Sequence, residues 1–256
     1  MCHRISISAR RRLAAIGVSA SIVLSLGGVA FAEQATRLRI AENSTPRPVD
    51  RVFFSYNYFT QITIEGGSST GESTGGIGNL RDPVKFERTF FGGDVSIGMR
   101  APFQSPLVGA EAAIITGFKF RFYFGDQKDD QALVNYSRDH MFMPYIGIPL
   151  AFPKPGQPPG GKQFVLTPFI GPIFEQGELS IFNNQGKASV TRHGLGVGLN
   201  FDVVFPSTSG FRPFIGAGGQ LSFMQSVKED IDGFDTHLDR DVQARAVVRG
   251  GVIFSP

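Results

Sequence analysis

The chain has 256 residues, and its 25 lysines and arginines against 22 aspartates and glutamates give a formal charge of +3. Hydrophobic residues make up 41% and charged residues 18%, which excludes a disordered chain, a coiled coil and a nucleic-acid-binding tail. The 32 glycines and 16 prolines would interrupt long helices, so the composition favours many short strands joined by turns.

Residues 1–32 have the pattern of a secretory signal peptide, with a retained membrane anchor as the alternative. Arginines at positions 4 and 10–12 precede an apolar run that ends at Ala30-Phe31-Ala32, the small-residue pattern that signal peptidase reads. Removing these four arginines leaves 21 basic and 22 acidic residues, so nothing electrostatic favours nucleic acid as a partner. Cys2, the single cysteine, would be lost with them, which excludes disulfides and thiol chemistry in the mature chain.

Residues 33–50 are polar and contain Pro46 and Pro48, which predicts a flexible periplasmic lead-in. From 51 to 256 apolar and polar residues alternate, as in strands with two different faces. The clearest case is 118–124, where four phenylalanines share one face and Lys119, Arg121 and Tyr123 share the other. Eight strands are predicted, of which 164–182 is expected to be bulged near Gly177. Each is long enough for the ~9–11 residues that cross a bilayer.

The connections between these strands alternate in length. Long connections are expected at 65–85, 125–140 and 228–240, and shorter ones at 101–109, 153–162 and 206–210. A tight hairpin at 183–186 is the exception to the alternation. Such an asymmetry is typical of a barrel whose two ends face different compartments. Pro144, Pro168 and Pro213 each begin a Pro-aromatic-Ile-Gly motif, and a proline is tolerated at a strand start, where its missing N–H costs least.

We therefore predict an all-β fold: a closed antiparallel up-and-down transmembrane β-barrel of about eight strands. Inside a bilayer every backbone N–H and C=O must be paired, which strands achieve only in a closed barrel. The apolar face would meet lipid, and the lumen of eight strands would be filled by side chains. Charges would persist there only as hydrogen-bonded pairs. The predicted lumen charge network consists of Arg88, Asp94, Arg100, Lys119, Arg121, Glu175, Asp202, Arg245 and Arg249.

Over residues 51–254 the chain resembles the small eight-stranded outer-membrane barrels of the OmpA/OmpX type. The export signal, the alternating strands, the Pro-aromatic-Ile-Gly motifs and the apolar last strand carry this resemblance, and residues 47–59 resemble the opening of uncharacterised bacterial outer-membrane barrel families. The resemblance implies a bacterial outer-membrane location, with membrane lipids and lipopolysaccharide as partners and recognition of the last strand by the barrel-assembly machinery. The chain departs from this pattern because Phe254 is not its last residue and tryptophan is absent.

The remaining motifs favour structural interpretations. Gly194-x-Gly196-x-Gly198 lies within a predicted strand and opens no helix, unlike a dinucleotide-binding loop. The carboxylates at 230–235 lack the spacing of a calcium loop, although divalent ions could bridge them to lipopolysaccharide phosphates. The histidines at 140, 193 and 237 accompany no recognisable hydrolase motif. We therefore expect no metal, no cofactor and no enzymatic activity.

Two functions stay open at this point. The first is a non-enzymatic integral outer-membrane barrel with a structural, surface-interaction or very small-solute role. The second is a soluble periplasmic or secreted barrel that binds an apolar ligand, as a lipocalin does. Alternation alone does not say which face is inside. We favour the first because the polar faces are rich in glycine and poor in lysine, unlike a solvated exterior, and because long and short connections alternate. The sequence predicts no oligomeric state.

Overall fold

The computed structural model describes residues 58–104, 111–124, 133–152, 162–182, 186–207 and 210–254. Regular structure in these ranges is entirely β, and no helix in them is long and apolar enough to cross a membrane. The predicted signal peptide and lead-in lie outside the described residues. The strands are β1 (Tyr58–Ile77), β2 (Leu80–Gln104), β3 (Glu111–Phe124), β4 (Val134–Gly147), β5 (Leu150–Phe152), β6 (Gln163–Ile181), β7 (Gly186–Val204), β8 (Phe211–Met224), β9 (Val227–Ile231), β10 (Phe234–Leu238) and β11 (Asp241–Phe254).

Eight long strands among the described residues pair in the cyclic order β1-β2-β3-β4-β6-β7-β8-β11, and β11 pairs again with β1. All of these pairings are antiparallel, so the predicted all-β antiparallel barrel is confirmed. Short β5 continues the position of β4 between β3 and β6, and β10 pairs with β9 and with the end of β1.

The register fixes the tilt of the strands. A ring of directly paired residues that leaves β1 at Thr60 passes through each of the other seven long strands and returns to β1 at Thr70, ten residues further along. A stagger of this size requires strands tilted by roughly 35–45° from the barrel axis. An eight-stranded barrel leaves an interior just wide enough for side chains to fill.

Three of the predicted connections are wrong in whole or in part. The predicted connection 125–140 is too long, because β4 already begins at Val134. The stretch 65–85 is not a loop, because β1 continues to Ile77, β2 starts at Leu80, and a turn at Gly78 with φ of 56° joins them. The stretch 228–240 holds the β9–β10 hairpin, whose turn has positive φ at Asp232 and Gly233. The glycine- and aspartate-rich composition of the last two stretches marks their turns correctly, but it hides the strands on either side.

The expected bulge near Gly177 lies on the neighbouring strand. Arg138 of β4 pairs with Gly177 of β6, whereas His140 pairs with Gln176, so Asp139 is the extra residue. Because a bulge places two residues opposite one, the irregularity is shared by both strands of the pair. The sequence of β6 therefore indicated the position of the bulge along the barrel but not the strand that carries it.

Several inward-facing phenylalanines lie over a glycine directly opposite on the next strand. A Cβ built on Gly98 would lie 2.1 Å from Cζ of Phe59, and one on Gly198 would lie 2.3 Å from Cζ of Phe169. The same arrangement pairs Phe90 with Gly67 and Phe214 with Gly251. Glycine therefore makes room for aromatic rings at these places.

Candidate functional site

The outward face of the barrel carries an apolar belt. The belt consists of the outward residues of 60–64, 91–97, 114–124, 142–148, 164–174, 195–203, 211–223 and 242–254, and none of them is charged. Phe120 is 48% exposed and Val248 is 66% exposed, although both are large apolar side chains. A surface of this kind is much larger than the apolar patches of soluble monomers.

Beyond the belt the barrel continues as an extension, formed by residues 66–89, 133–140, 176–182, 186–193 and 227–240. Most of its outward side chains are polar, and they include Ser68, Glu87, Lys187 and Thr191, whereas Leu80, Phe182 and Phe234 are exposed apolar exceptions. Its interior holds a buried apolar cluster of Ile77, Val84, Val134, Tyr136, Leu179, Ile181, Val190, Ile231 and Leu238. The buried arginines Arg88, Arg138 and Arg192 lie in the extension as well. The outward chemistry therefore changes from apolar in the belt to polar in the extension, whereas both interiors combine apolar and charged side chains.

Inside the belt, charged side chains form a buried network that begins around Lys119. The Lys119 ammonium lies 3.0 Å from a carboxylate oxygen of Asp94 and 3.6 Å from one of Glu65. Arg121 donates a hydrogen bond from Nε to the same Glu65 carboxylate. Both cations are at most 1% exposed, and the Lys119 ammonium also lies 5.0 Å from the ring centroid of Tyr145. Buried charges require this kind of pairing because burial removes their hydration.

Arg249 joins a further acid, Asp202, to this group. Its guanidinium lies 3.5 Å from Asp94 and 3.5 Å from Asp202, and it donates a hydrogen bond to the hydroxyl of Thr63 at 3.2 Å. The four residues lie on β11, β2, β7 and β1, so the contacts run across the lumen and not only between adjacent strands. We call the residues of this and the preceding paragraph the lower cluster.

An upper cluster surrounds Arg245. Its guanidinium donates to Glu175 at 2.9 Å, to the hydroxyl of Tyr123 at 3.1 Å and to the amide oxygen of Gln243 at 2.8 Å. It also donates to the hydroxyl of Ser222. Glu175 and Arg245 lie on β6 and β11, which are three places apart in the barrel, so this pair spans the lumen. Its side chains have 0% exposure.

Gln220 connects the two clusters. It accepts a hydrogen bond from Arg121 at 2.7 Å and donates one to Ser222 at 3.1 Å, and Ser222 also accepts from Arg245. The result is a continuous series of polar contacts along the inside of the belt. Side chains with almost no exposure fill this part of the lumen, so the geometry suits a sealed interior and not an open channel.

Two buried arginines of this interior were not predicted from the sequence. Arg138 donates to Ser69 at 2.8 Å and to Gln243 at 3.0 Å. Arg192 donates to Asp241 at 2.8 Å and to the backbone oxygens of Gln225 and Asp239. Arg192 thereby ties both ends of the β9–β10 hairpin to the barrel wall.

Most of the predicted network residues are brought together in this way. The buried ones are Arg88, Asp94, Lys119, Arg121, Glu175, Asp202, Arg245 and Arg249. Arg88 contacts the Ser137 hydroxyl and the Arg138 carbonyl, each at 2.9 Å, near the base of the extension. Arg100 differs from the others, because it is only half-buried and lies near the end of β2, away from both clusters.

The carboxylates at 230–235 form the tip of a hairpin. The backbone N–H of Gly233 donates to the Asp230 carboxylate at 2.8 Å, which closes the turn. Within the described ranges, no three histidine, aspartate or glutamate side chains are grouped so as to hold a metal ion.

No protein-family model matches the sequence, and no curated protein matches it. Solved structures similar in fold include the outer membrane protease OmpT from Escherichia coli, with a TM-score of 0.46 and 9% identity over 82% of this chain and 99% of that one. A major outer membrane protein from Thermus thermophilus has a TM-score of 0.42 and 11% identity over 76% of this chain and 98% of that one. Neisserial surface protein A has a TM-score of 0.29 and 13% identity over 73% of this chain and 95% of that one. The resemblance to outer-membrane barrels is confirmed for the fold alone.

These comparisons also correct one expectation. We had excluded an enzyme because no catalytic motif was visible in the sequence. That exclusion is wrong, since one of the similar structures is described as a protease. At 9% identity, the similarity assigns no protease activity to this chain.

Proposed function

We propose that this chain is an integral barrel of the bacterial outer membrane, sealed along its lumen, and that its extension contacts molecules outside the membrane. The observation that carries the proposal is the change of the outward surface from apolar on the belt to polar on the extension. An apolar outer surface suits lipid, whereas a polar outer surface suits water. The change therefore favours a belt in lipid and an extension in water.

The height of the belt agrees with this proposal. On β11 it covers residues 242–254, nearly the whole of a 14-residue strand. At about 3.3 Å per residue and a tilt of roughly 40°, this corresponds to about 30 Å along the barrel axis. The hydrocarbon core of a bilayer is about 30 Å thick, and outer-membrane barrels have apolar bands about 25 Å tall.

The alternative of a soluble calyx for an apolar ligand fits the geometry poorly. It would require an apolar cavity and a polar exterior at the level of the belt. Instead Lys119, Arg121 and Glu175 fill that interior, while Phe120 and Phe122 are about half exposed on the outside. Leaving the whole belt in water would lose the burial free energy of many large side chains at once.

The sidedness follows from the two ends of the barrel. Tyr58 and Phe254, the ends of the described barrel chain, both lie at the end opposite the extension. Barrels of the outer membrane have short periplasmic turns and longer extracellular segments. We therefore assign the extension to the cell exterior, and the sealed lumen makes contact with other molecules a better-supported role than solute passage.

Labelling of engineered cysteines tests the proposal, and the one native cysteine, Cys2, lies in the predicted signal peptide. In membranes, Val248→Cys should react with a lipid-soluble maleimide and resist a charged, water-soluble one. Thr191→Cys, on the extension, should show the opposite preference, and in intact cells it should react with a membrane-impermeant reagent. Reaction of Val248→Cys with the charged reagent, together with recovery of the protein in the soluble fraction, would refute the membrane assignment. Boiling should also shift the gel mobility of the detergent-extracted protein.

A further inference from the structure

The tip of the extension exposes a pair of aromatic rings. Phe182 follows β6 and Phe234 begins β10, and their rings meet edge to face with centroids 5.5 Å apart. They are 38% and 45% exposed, although most outward side chains of the extension are polar. Both lie far from the belt, so lipid does not account for their exposure.

The backbone at Phe182 holds this pair in an unusual way. Phe182 has a φ of 46°, in the left-handed region that bulky residues seldom adopt. Its N–H donates to the carbonyl of Leu133 at 3.3 Å, which fixes the start of the turn after β6. Residues held in such conformations are concentrated at binding and switch sites. In this conformation the Phe182 ring rests against Phe234 of the β9–β10 hairpin.

Carboxylates share a hairpin with one ring of the aromatic pair. Asp230, Asp232 and Asp235 are all exposed on the β9–β10 hairpin that carries Phe234. Asp230 closes the turn, which leaves Asp232 and Asp235 as the carboxylates best placed to meet a partner. Two cations of the extension are engaged in ion pairs, since Arg81 pairs with Asp239 and Lys187 pairs with Glu178. The same hairpin also exposes Lys228, but it lies on β9 opposite His237, away from the turn at Asp232 and Gly233. The turn end of the hairpin therefore combines an exposed ring with an excess of negative charge.

We propose that the Phe182–Phe234 pair and the carboxylates of this hairpin form a docking site for a cationic polypeptide segment that places an apolar side chain against the two rings. The charge of these carboxylates selects this occupant. Anionic lipid headgroups and a second copy of the same acidic tip would both be repelled, whereas lysine or arginine side chains would be attracted. Aromatic rings at the centre of a small interface are frequent anchors for binding. This inference rests on the proposed function, because it needs the extension to lie in water outside the membrane.

The test uses the full chain inserted in nanodiscs of zwitterionic lipid. A short amphipathic Lys/Leu peptide is titrated, with a Glu/Leu peptide of equal length and vesicles of phosphatidylglycerol as competing probes. We expect the Lys/Leu peptide to bind, and the variant Phe182→Gly with Phe234→Ser to bind at least tenfold more weakly. Asp232→Asn with Asp235→Asn keeps the shape of the turn and should weaken binding while reducing its dependence on salt. Glu72→Gln, on the extension but away from the tip, is the matched control and should bind like the parent.

The outcomes separate this inference from the proposed function. The parent and the Phe182→Gly, Phe234→Ser variant could both insert in nanodiscs, shift their gel mobility on boiling and bind the Lys/Leu peptide equally well. That result would overturn the docking site but leave the membrane barrel intact. Preferential binding of the Glu/Leu peptide or of the anionic vesicles also overturns it, in favour of another occupant. A protein that stays soluble without detergent removes the premise of both proposals. Glycine adopts positive φ without strain, so the single variant Phe182→Gly should insert in nanodiscs with the same yield as the parent. Equal yields would show that misfolding does not explain a loss of binding in this variant.

Discussion

Replacing Glu175 by glutamine gives the sharpest test of the sealed lumen. The change keeps the size of the side chain but removes the charge that faces Arg245 at 2.9 Å, in a pair whose side chains have 0% exposure. Removing one partner of a buried ion pair typically costs about 3–5 kcal/mol of unfolding free energy, since the other charge stays buried without compensation. Arg245 would keep Tyr123, Ser222 and Gln243 as acceptors, so we expect a loss near the lower end, about 3 kcal/mol.

The measurement is urea unfolding in detergent micelles, followed by the gel mobility of the intact barrel. The matched control is Glu178→Gln, because Glu178 pairs with Lys187 at 2.8 Å on the outside of the extension. That pair is 40–45% exposed, and exposed ion pairs contribute at most about 1 kcal/mol. A double variant, Glu175→Gln with Arg245→Met, should lose less than the sum of the two single variants, since no charge is left unpaired. Equal losses for Glu175→Gln and Glu178→Gln would refute the buried pair.

Two further substitutions address the packing and the belt. Gly198→Ala should lower the unfolding midpoint in urea by an amount equivalent to about 1–3 kcal/mol, because its Cβ would meet the Phe169 ring at 2.3 Å, whereas Gly219→Ala, with no atom nearer than 3.7 Å, should be neutral. An equal effect at both glycines would contradict the ring-over-glycine arrangement. Val248→Arg should destabilise the barrel in lipid vesicles by about 2–4 kcal/mol, and Thr191→Arg should leave it unchanged. Tolerance of arginine at Val248 would place that side chain in water.

The faces of the strands could be predicted from the sequence where apolar and polar residues alternate strictly. In 118–124, Phe120 and Phe122 are exposed outward, while Lys119 and Arg121 are buried, which is the arrangement that the sequence analysis preferred. The amphipathic pattern specifies two faces, but it does not say which one is outside. That choice depended on the glycine content of the polar faces and on the lengths of the connections.

Glu65 shows why part of the lumen was missed. It is 1% exposed and bonded to Arg121 in the lower cluster, yet it lies at the start of the stretch that was predicted to be a loop. Its position alternates correctly with Gln61, Thr63 and Ser69, all of which are buried. Continuing the strand by parity through this glycine- and serine-rich stretch would have placed Glu65 inward.

The ion pairs themselves could not be predicted because they depend on register and stagger. Glu175 and Arg245 are three strands apart, and they meet only because the barrel closes with a stagger of ten residues. The alternation of apolar and polar residues along each strand does not reveal that offset. The sequence therefore predicts which charged side chains point inward, but not which of them pair with each other.

Strand β2 shows how the outward chemistry changes along one continuous strand. Its outward positions change from Val95 at the level of the belt to Glu87 on the extension, while its inward positions hold Asp94 in the belt and both Val84 and Arg88 in the extension. From Leu80 to Met99 the pairing with β1 shows no shift, so no bulge has turned the faces over in this part of the strand. A barrel in one solvent would have no reason to change its outer surface from apolar to polar midway along a strand. The proposed location, with lipid around the lower part and water around the upper part, accounts for this change. The loss of apolar outward residues beyond the belt, together with the glycines and serines of 65–85, made that stretch look like a loop.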